Sequence, residues 1–182
     1  MSETLLSELV SDPATASLKV PPHSSEAEQS VIGGLMLDNT TWDQVADQVS
    51  SSDFYRREHK LIFAAIESLA ESSSPFDVVT LSEWLASNDK LEEVGGIGHL
   101  GELAKNTPSV ANVVAYARIV RERAVLRELV KVANEIAETA FSPEGRSANE
   151  LIDNAERLVF QIAESGTRQF AGFVNIKEVL AS

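Results

Sequence analysis

Apolar residues recur at alternating steps of three and four along a stretch running from about Asn112 to Ser165. Ile119, Leu126, Leu129, Ala133, Ile136 and Ala140 fall on one face of a helix at this spacing. Val125, Val130, Val132 and Ala137 widen the stripe to roughly half the circumference, more than one partner helix covers. A second arm follows the same rule with Leu151, Ala155, Leu158 and Ile162, flanked by Ile152 and Val159. Between the arms, Pro143 and Gly145 stop a helix, and Ser147 with Glu150 three residues later forms a capping box that restarts one. A link this short makes the two helices antiparallel neighbours. With successive residues about 100° apart, Phe160 falls opposite the second arm's stripe. The wide first arm and the displaced ring predict a hairpin packed on both sides, by its own globule and by another chain. Val125, Val132 and Phe160 are the candidate interface residues.

Before the hairpin the pattern breaks into short helices. Ser25 with Glu28 reads as a capping box for a helix that buries Ala27, Val31, Ile32 and Leu35. Gly33-Gly34 inside it costs about 1 kcal/mol per residue relative to alanine, which predicts a neighbouring helix close to the backbone. Thr41 with Gln44 starts a short helix bearing Trp42, Val45 and Val49. Tyr55, His59, Ile62, Phe63, Ile66 and Leu69 mark the next helix, ending near Glu71. Thr80 with Glu83 opens one carrying Leu81, Trp84 and Leu85. A further short helix is expected from about His99 to Lys105, and Thr107-Pro108 leads into the hairpin. Four stretches result: a disordered tail at 1–19, a helical globule at 20–111, the hairpin at 112–165, and a linker with the start of another helix at 166–182. That last helix would be capped by Asn175 and carry Ile176, Val179 and Leu180. About seven residues are too few to be stable alone, so these three residues are expected to dock elsewhere or to begin a longer helix in a parent chain.

No stretch alternates apolar and polar residues long enough for a strand, so the fold class is all-α. The chain has no cysteine, which excludes disulfides and thiolate chemistry. No signal peptide or membrane-length segment is present, and a cytoplasmic protein with no membrane partner is expected. A formal net charge of −13 argues against a grip on nucleic acid by this chain alone. The basic residues Arg118, Arg121, Arg123, Arg127 and Lys131 scatter around their helix and read as a solvated face.

Gly96-Ile-Gly-His-Leu-Gly101 matches G-x-G-x-x-G, but a dinucleotide fingerprint needs a preceding strand and a βαβ unit, and neither is predicted. The three histidines have no metal-ligand spacing, and His59 reads as a core histidine with a satisfied ring nitrogen. Glu26, Glu28, Glu83 and Glu150 are explained as helix caps. No nucleophile, base and orienting group assemble. No catalytic residue, cofactor site or metal site is therefore assigned.

The linear pattern is more specific than the chemistry. The opening Pro21-Pro-His-Ser-Ser-Glu-Ala-Glu-Gln-Ser-Val-Ile-Gly-Gly-Leu-Met-Leu-Asp38 closely resembles the N-terminal domain of DnaB-type bacterial replicative helicases. Asp53-Phe-Tyr55 with His59 and Ile62-Phe63 continues the match, as do Val94-Gly-Gly96, Lys105-Asn-Thr-Pro-Ser-Val-Ala-Asn112, and Tyr116, Ile119, Arg123 and Leu126. The resemblance implies a helical globule plus hairpin at the head of a homohexameric, ATP-driven DNA helicase. It also implies that hairpins pair into dimers, that three dimers form a collar, and that primase docks there while a helicase loader acts on the hexamer. Asn175 to Ala181 matches the start of the linker helix that packs on a neighbouring subunit. ATP, Mg²⁺ and direct DNA contact belong, on this resemblance, to a motor domain outside this chain. The alternatives are a free-standing helical adaptor, or a small nucleotide-binding protein using Gly96 to Gly101.

Overall fold

The computed structural model describes residues 19–170, with side chains as far as Gly166. Within them the chain is entirely helical: α1 (Ser25–Leu37), α2 (Trp42–Ala46), α3 (Arg57–Glu71), α4 (Val78–Ser87), α5 (Gly96–Lys105), α6 (Val113–Phe141) and α7 (Ala148–Phe170). Short 3₁₀ turns lie at 39–41, 51–53 and 110–112. All but the last residue of the expected 1–19 tail, and the expected helix with Ile176, Val179 and Leu180, fall outside the described residues.

Helix α1 is the hub, packing on α3, α5 and the first half of α6. Val31, Ile32 and Leu35 are fully buried in it, as the pattern predicts. The paired glycines explain the close approach. A Cβ at Gly33 would overlap the Thr107 hydroxyl and the Leu103 carbonyl oxygen at the end of α5, and one at Gly34 would lie 2.9 Å from Val113 Cγ2 on α6. Two helices thus reach the α1 backbone at successive residues.

Two caps differ from the expected ones. The Ser24 hydroxyl accepts the Ala27 N–H at 3.2 Å, so Ser24, not Ser25, caps α1 and Glu28 is released from capping. For α4 the capping box is Asp77 with Thr80: the Asp77 carboxylate accepts the Val79 and Thr80 N–H groups at 2.9 Å. Its position is set from afar, because the Asn39 side chain pins both backbone groups of buried Phe76. The Ser147–Glu150 box at the start of α7 stands as predicted, with the Ser147 N–H donating to the Glu150 carboxylate at 2.6 Å. That bond and the Ser147 hydroxyl, which donates to the same carboxylate at 3.0 Å, hold the Glu150 carboxyl below its ordinary range.

Helices α6 and α7 form the expected antiparallel hairpin around a turn with Gly145 at φ +83°. The buried face of α6 is not the expected one. Val113, Ala117 and Val120 face the globule, and Val132 is closed off in the hairpin, whereas Ile119 is partly exposed and Leu129 is 46 % exposed. Helix α6 has two apolar sectors, and periodicity reports their existence without saying which turns inward. On α7 the predicted stripe holds, ending at buried Ile162. That helix also passes through Gly166 to Phe170, where a linker was expected.

Candidate interaction surface

The outward sector of α6 carries Ile119, Leu129 and Val130 exposed, with Leu126 half-buried beside them. On α7, Ile152, Val159 and Phe160 are exposed, Phe160 at 62 %, and Phe141 stands at the hairpin tip almost fully in solvent. Of the three hairpin residues predicted from sequence, only Phe160 lies on this surface. Val125 is half-buried, lining the cleft between hairpin and globule with Arg121 and Ile162. Val132 is 4 % exposed, so within one chain it is part of the hairpin's own packing. The stripe's period alone does not separate these inward positions from the outward sector. Ile119 and Leu129 belong to the main stripe expected to face inward, and Val130 to the residues that widen it.

A polar network sets the hairpin on the globule. Arg121 donates to the Asp53 carboxylate at 2.7 Å and to the Ser165 carbonyl of α7 at 3.0 Å, with both partners of the ion pair largely buried. Arg127 donates to the carbonyl oxygens of Pro22 and Asp53, and its guanidinium lies over the Tyr55 ring, which stacks in turn on His23. Burial pushes the Arg127 guanidinium below its ordinary value, against the opposing pull of Glu28 and Asp53. Arg121 and Arg127 are therefore not a solvated face, as the sequence suggested. Their partners lie more than 40 residues away along the chain, beyond the reach of local pattern.

Below this network sits Glu28, read from sequence as a helix-start carboxylate but 1 % exposed. It accepts the Tyr55 N–H at 2.7 Å and the Arg56 N–H at 3.3 Å, and bonds His59 Nδ1 at 2.7 Å. Glu28 thereby satisfies the amides just ahead of α3, which begins at Arg57 rather than Tyr55, with Arg56 in an extended conformation before it. His59 is the expected core histidine at Nδ1, while its buried Nε2 has no partner among the described residues.

The glycine-rich segment does not fit a nucleotide. Gly96 to Gly101 is the first part of α5, and the adjoining cleft is lined by the carboxylates of Glu58, Glu93 and Glu102, which repel phosphate. Arg57 and Lys90 bond Glu93 and hold its carboxyl below the ordinary range, so that charge persists at neutral pH. Among the described residues no cluster of His, Asp and Glu could hold a metal ion, and no helix is long and apolar enough to cross a membrane.

Similarity to known proteins follows the same outline. Over 172 residues, 94 % of this chain, it is 49 % identical to the replicative DNA helicase DnaB of Haemophilus influenzae, of which it spans 37 %. It is 39 % identical to the DnaB of Geobacillus stearothermophilus over 163 residues, covering 89 % of this chain and 35 % of that one. The chain thus spans about a third of the length of these relatives. The crystal structure of the N-terminal domain of DnaB helicase from Mycobacterium tuberculosis superposes with a TM-score of 0.72 at 32 % identity, covering 78 % of this chain and 99 % of that one. A DnaB-like replicative helicase described with its interactions with primase shares the fold at a TM-score of 0.63 and 18 % identity, over 87 % of this chain and 35 % of that one. The DnaB-like helicase N-terminal domain family matches residues 20–122, from the Pro21-Pro22 strap to the Asp53–Arg121 pair. With its hub helix, paired glycines and hairpin all in the matching stretch or continuous with it, this chain belongs to the DnaB-like helicase N-terminal domain family of replicative DNA helicases.

Proposed function

We propose that this chain is the assembly and partner-docking domain of a hexameric replicative helicase, acting in the bacterial cytoplasm during DNA replication. The observation that carries the reading is the outward apolar sector of α6, which none of the described residues covers. Monomeric proteins rarely leave a contiguous apolar face of this kind in water, and such faces mark protein contacts. A second copy pairing through the same face gives a two-fold dimer, and three such dimers give the collar. Primase then docks on the assembled hairpins, and a loader acts on the hexamer. The relative described with primase supports that choice of partner. Unwinding, ATP, Mg²⁺ and DNA contact are assigned to the part of the helicase beyond this chain.

Sedimentation velocity with a primase pull-down tests the reading. Leu129→Ser with Val130→Ser is expected to shift the chain from dimer to monomer while the helical fold, read by circular dichroism, is kept. Phe160→Ala is expected to keep the fold and weaken self-association or primase capture. A wild-type chain that stays monomeric at tens of micromolar and retains no primase would overturn the proposal.

A further inference from the structure

The outward face of α6 has a centre. Val130 lies eleven residues from Ile119 and eleven from Phe141, and all three side chains are exposed. Eleven residues make three helical turns to within about 20°, so the three fall in one line along α6 at intervals of about 16 Å. Half-buried Leu126 and exposed Ala133 and Ala137 lie within about 60° of that line. Buried Val113, Ala117 and Val120 turn about 80–140° to one side, towards the globule, and buried Val132 turns about 160° to the other, towards α7. Charge follows the same centre. Arg123 precedes Val130 by seven residues and Glu138 follows it by eight, both on the globule-facing flank of the line, about 20° and 80° round. Among the described residues neither side chain has an ion-pair partner.

We propose that a second copy of this chain seats on α6 antiparallel, with the two-fold axis at Val130. The inference rests on the assembly reading above and fixes its register. A two-fold axis across α6 reverses the helix direction while keeping its globule side on the same side of the pair, and every contact it makes occurs twice. Val130 then meets its own copy, and Ile119 meets the partner's Phe141, which covers the ring that one chain leaves 90 % exposed. Leu126 packs on the partner's Ala133, a small side chain that lets the two helices approach closely. Arg123 comes beside the partner's Glu138, so the two unpaired charges satisfy each other across the axis. A parallel pairing would set Arg123 against Arg123, and like charges facing each other oppose association.

The chain has no cysteine, so single-cysteine variants of the full 182 residues report the register directly. Val130→Cys treated with a short bismaleimide should give a covalent dimer. Ile119→Cys and Phe141→Cys should each give little alone, because the two copies of either position stand about 33 Å apart, and much more when the two proteins are mixed. By sedimentation equilibrium, Arg123→Glu and Glu138→Arg should each weaken self-association several-fold, and the double variant should recover it. A dimer in which Ile119→Cys or Phe141→Cys links to itself as readily as to the other overturns this register and leaves the assembly reading standing. So does a double charge variant that associates no better than the single ones. Should Arg123→Glu lose its helix content by circular dichroism, the cross-linking result decides alone. A wild-type chain that stays monomeric at tens of micromolar overturns both readings together.

Discussion

Replacing Glu28 separates two accounts of the same residue. As a helix-start carboxylate facing the dipole it would contribute about 0.3–1 kcal/mol. In the structure it is 1 % exposed and serves three donors or ring nitrogens from the Tyr55–His59 segment. Glu28→Ala removes the acceptor of the part-buried Tyr55 and Arg56 N–H groups and leaves buried His59 Nδ1 without this partner. An unsatisfied buried group costs about 1–3 kcal/mol, and removing one side of a buried charged contact about 3–5 kcal/mol. We expect Glu28→Ala to lose about 3–5 kcal/mol, a large part of the roughly 5–15 kcal/mol that holds a domain folded. Glu28→Gln keeps one carbonyl acceptor but turns an amide N–H₂ towards a donor, and should lose about 1–3 kcal/mol. Urea denaturation followed by circular dichroism gives both values, with the slope unchanged if only the native state is affected. A loss below 1 kcal/mol for Glu28→Ala would refute the network and return Glu28 to the helix dipole.

Gly33→Ala should cost about 3 kcal/mol or more, because the Leu103 carbonyl it meets is backbone and cannot swing away; thermal unfolding checks this. Val132→Ala should destabilise the isolated chain by on the order of 1–2 kcal/mol, and Leu129→Ala by less than about 1 kcal/mol, since only Val132 is buried. Equal losses in urea melts would mean the α6 register is wrong. The Glu150 carboxyl is depressed by the Ser147 N–H and hydroxyl. A depressed carboxyl contributes stability that is present above its unfolded value and is lost as pH falls through the folded one. Its contribution to the start of α7 should therefore fade below the ordinary carboxylate range. In a carboxyl NMR titration Ser147→Ala should raise the Glu150 midpoint part of the way, and an unmoved midpoint would exclude the hydroxyl and leave the Ser147 N–H as the cause.

Sequence alone determined the elements whose causes are local. Pro143 and Gly145 cannot continue a helix, and Ser147 and Glu150 reach each other across one turn, so the hairpin's turn was legible. The cost of two glycines inside α1 likewise announced the helices that close on it. Linear pattern also sufficed for the family, because the Pro21 to Asp38 block is specific as a string. Only the tertiary structure decided which apolar sector of α6 turns inward: a stripe has a period, and the period is unchanged by rotating the helix. The structure also decided that Glu28 is interior, because its partners are 27 to 31 residues away. Arg121 and Arg127 looked solvated for the same reason, as their acceptors lie on the globule and on α7. The helix beyond Gly166 was hidden most fully, since the local propensity of glycine opposes it.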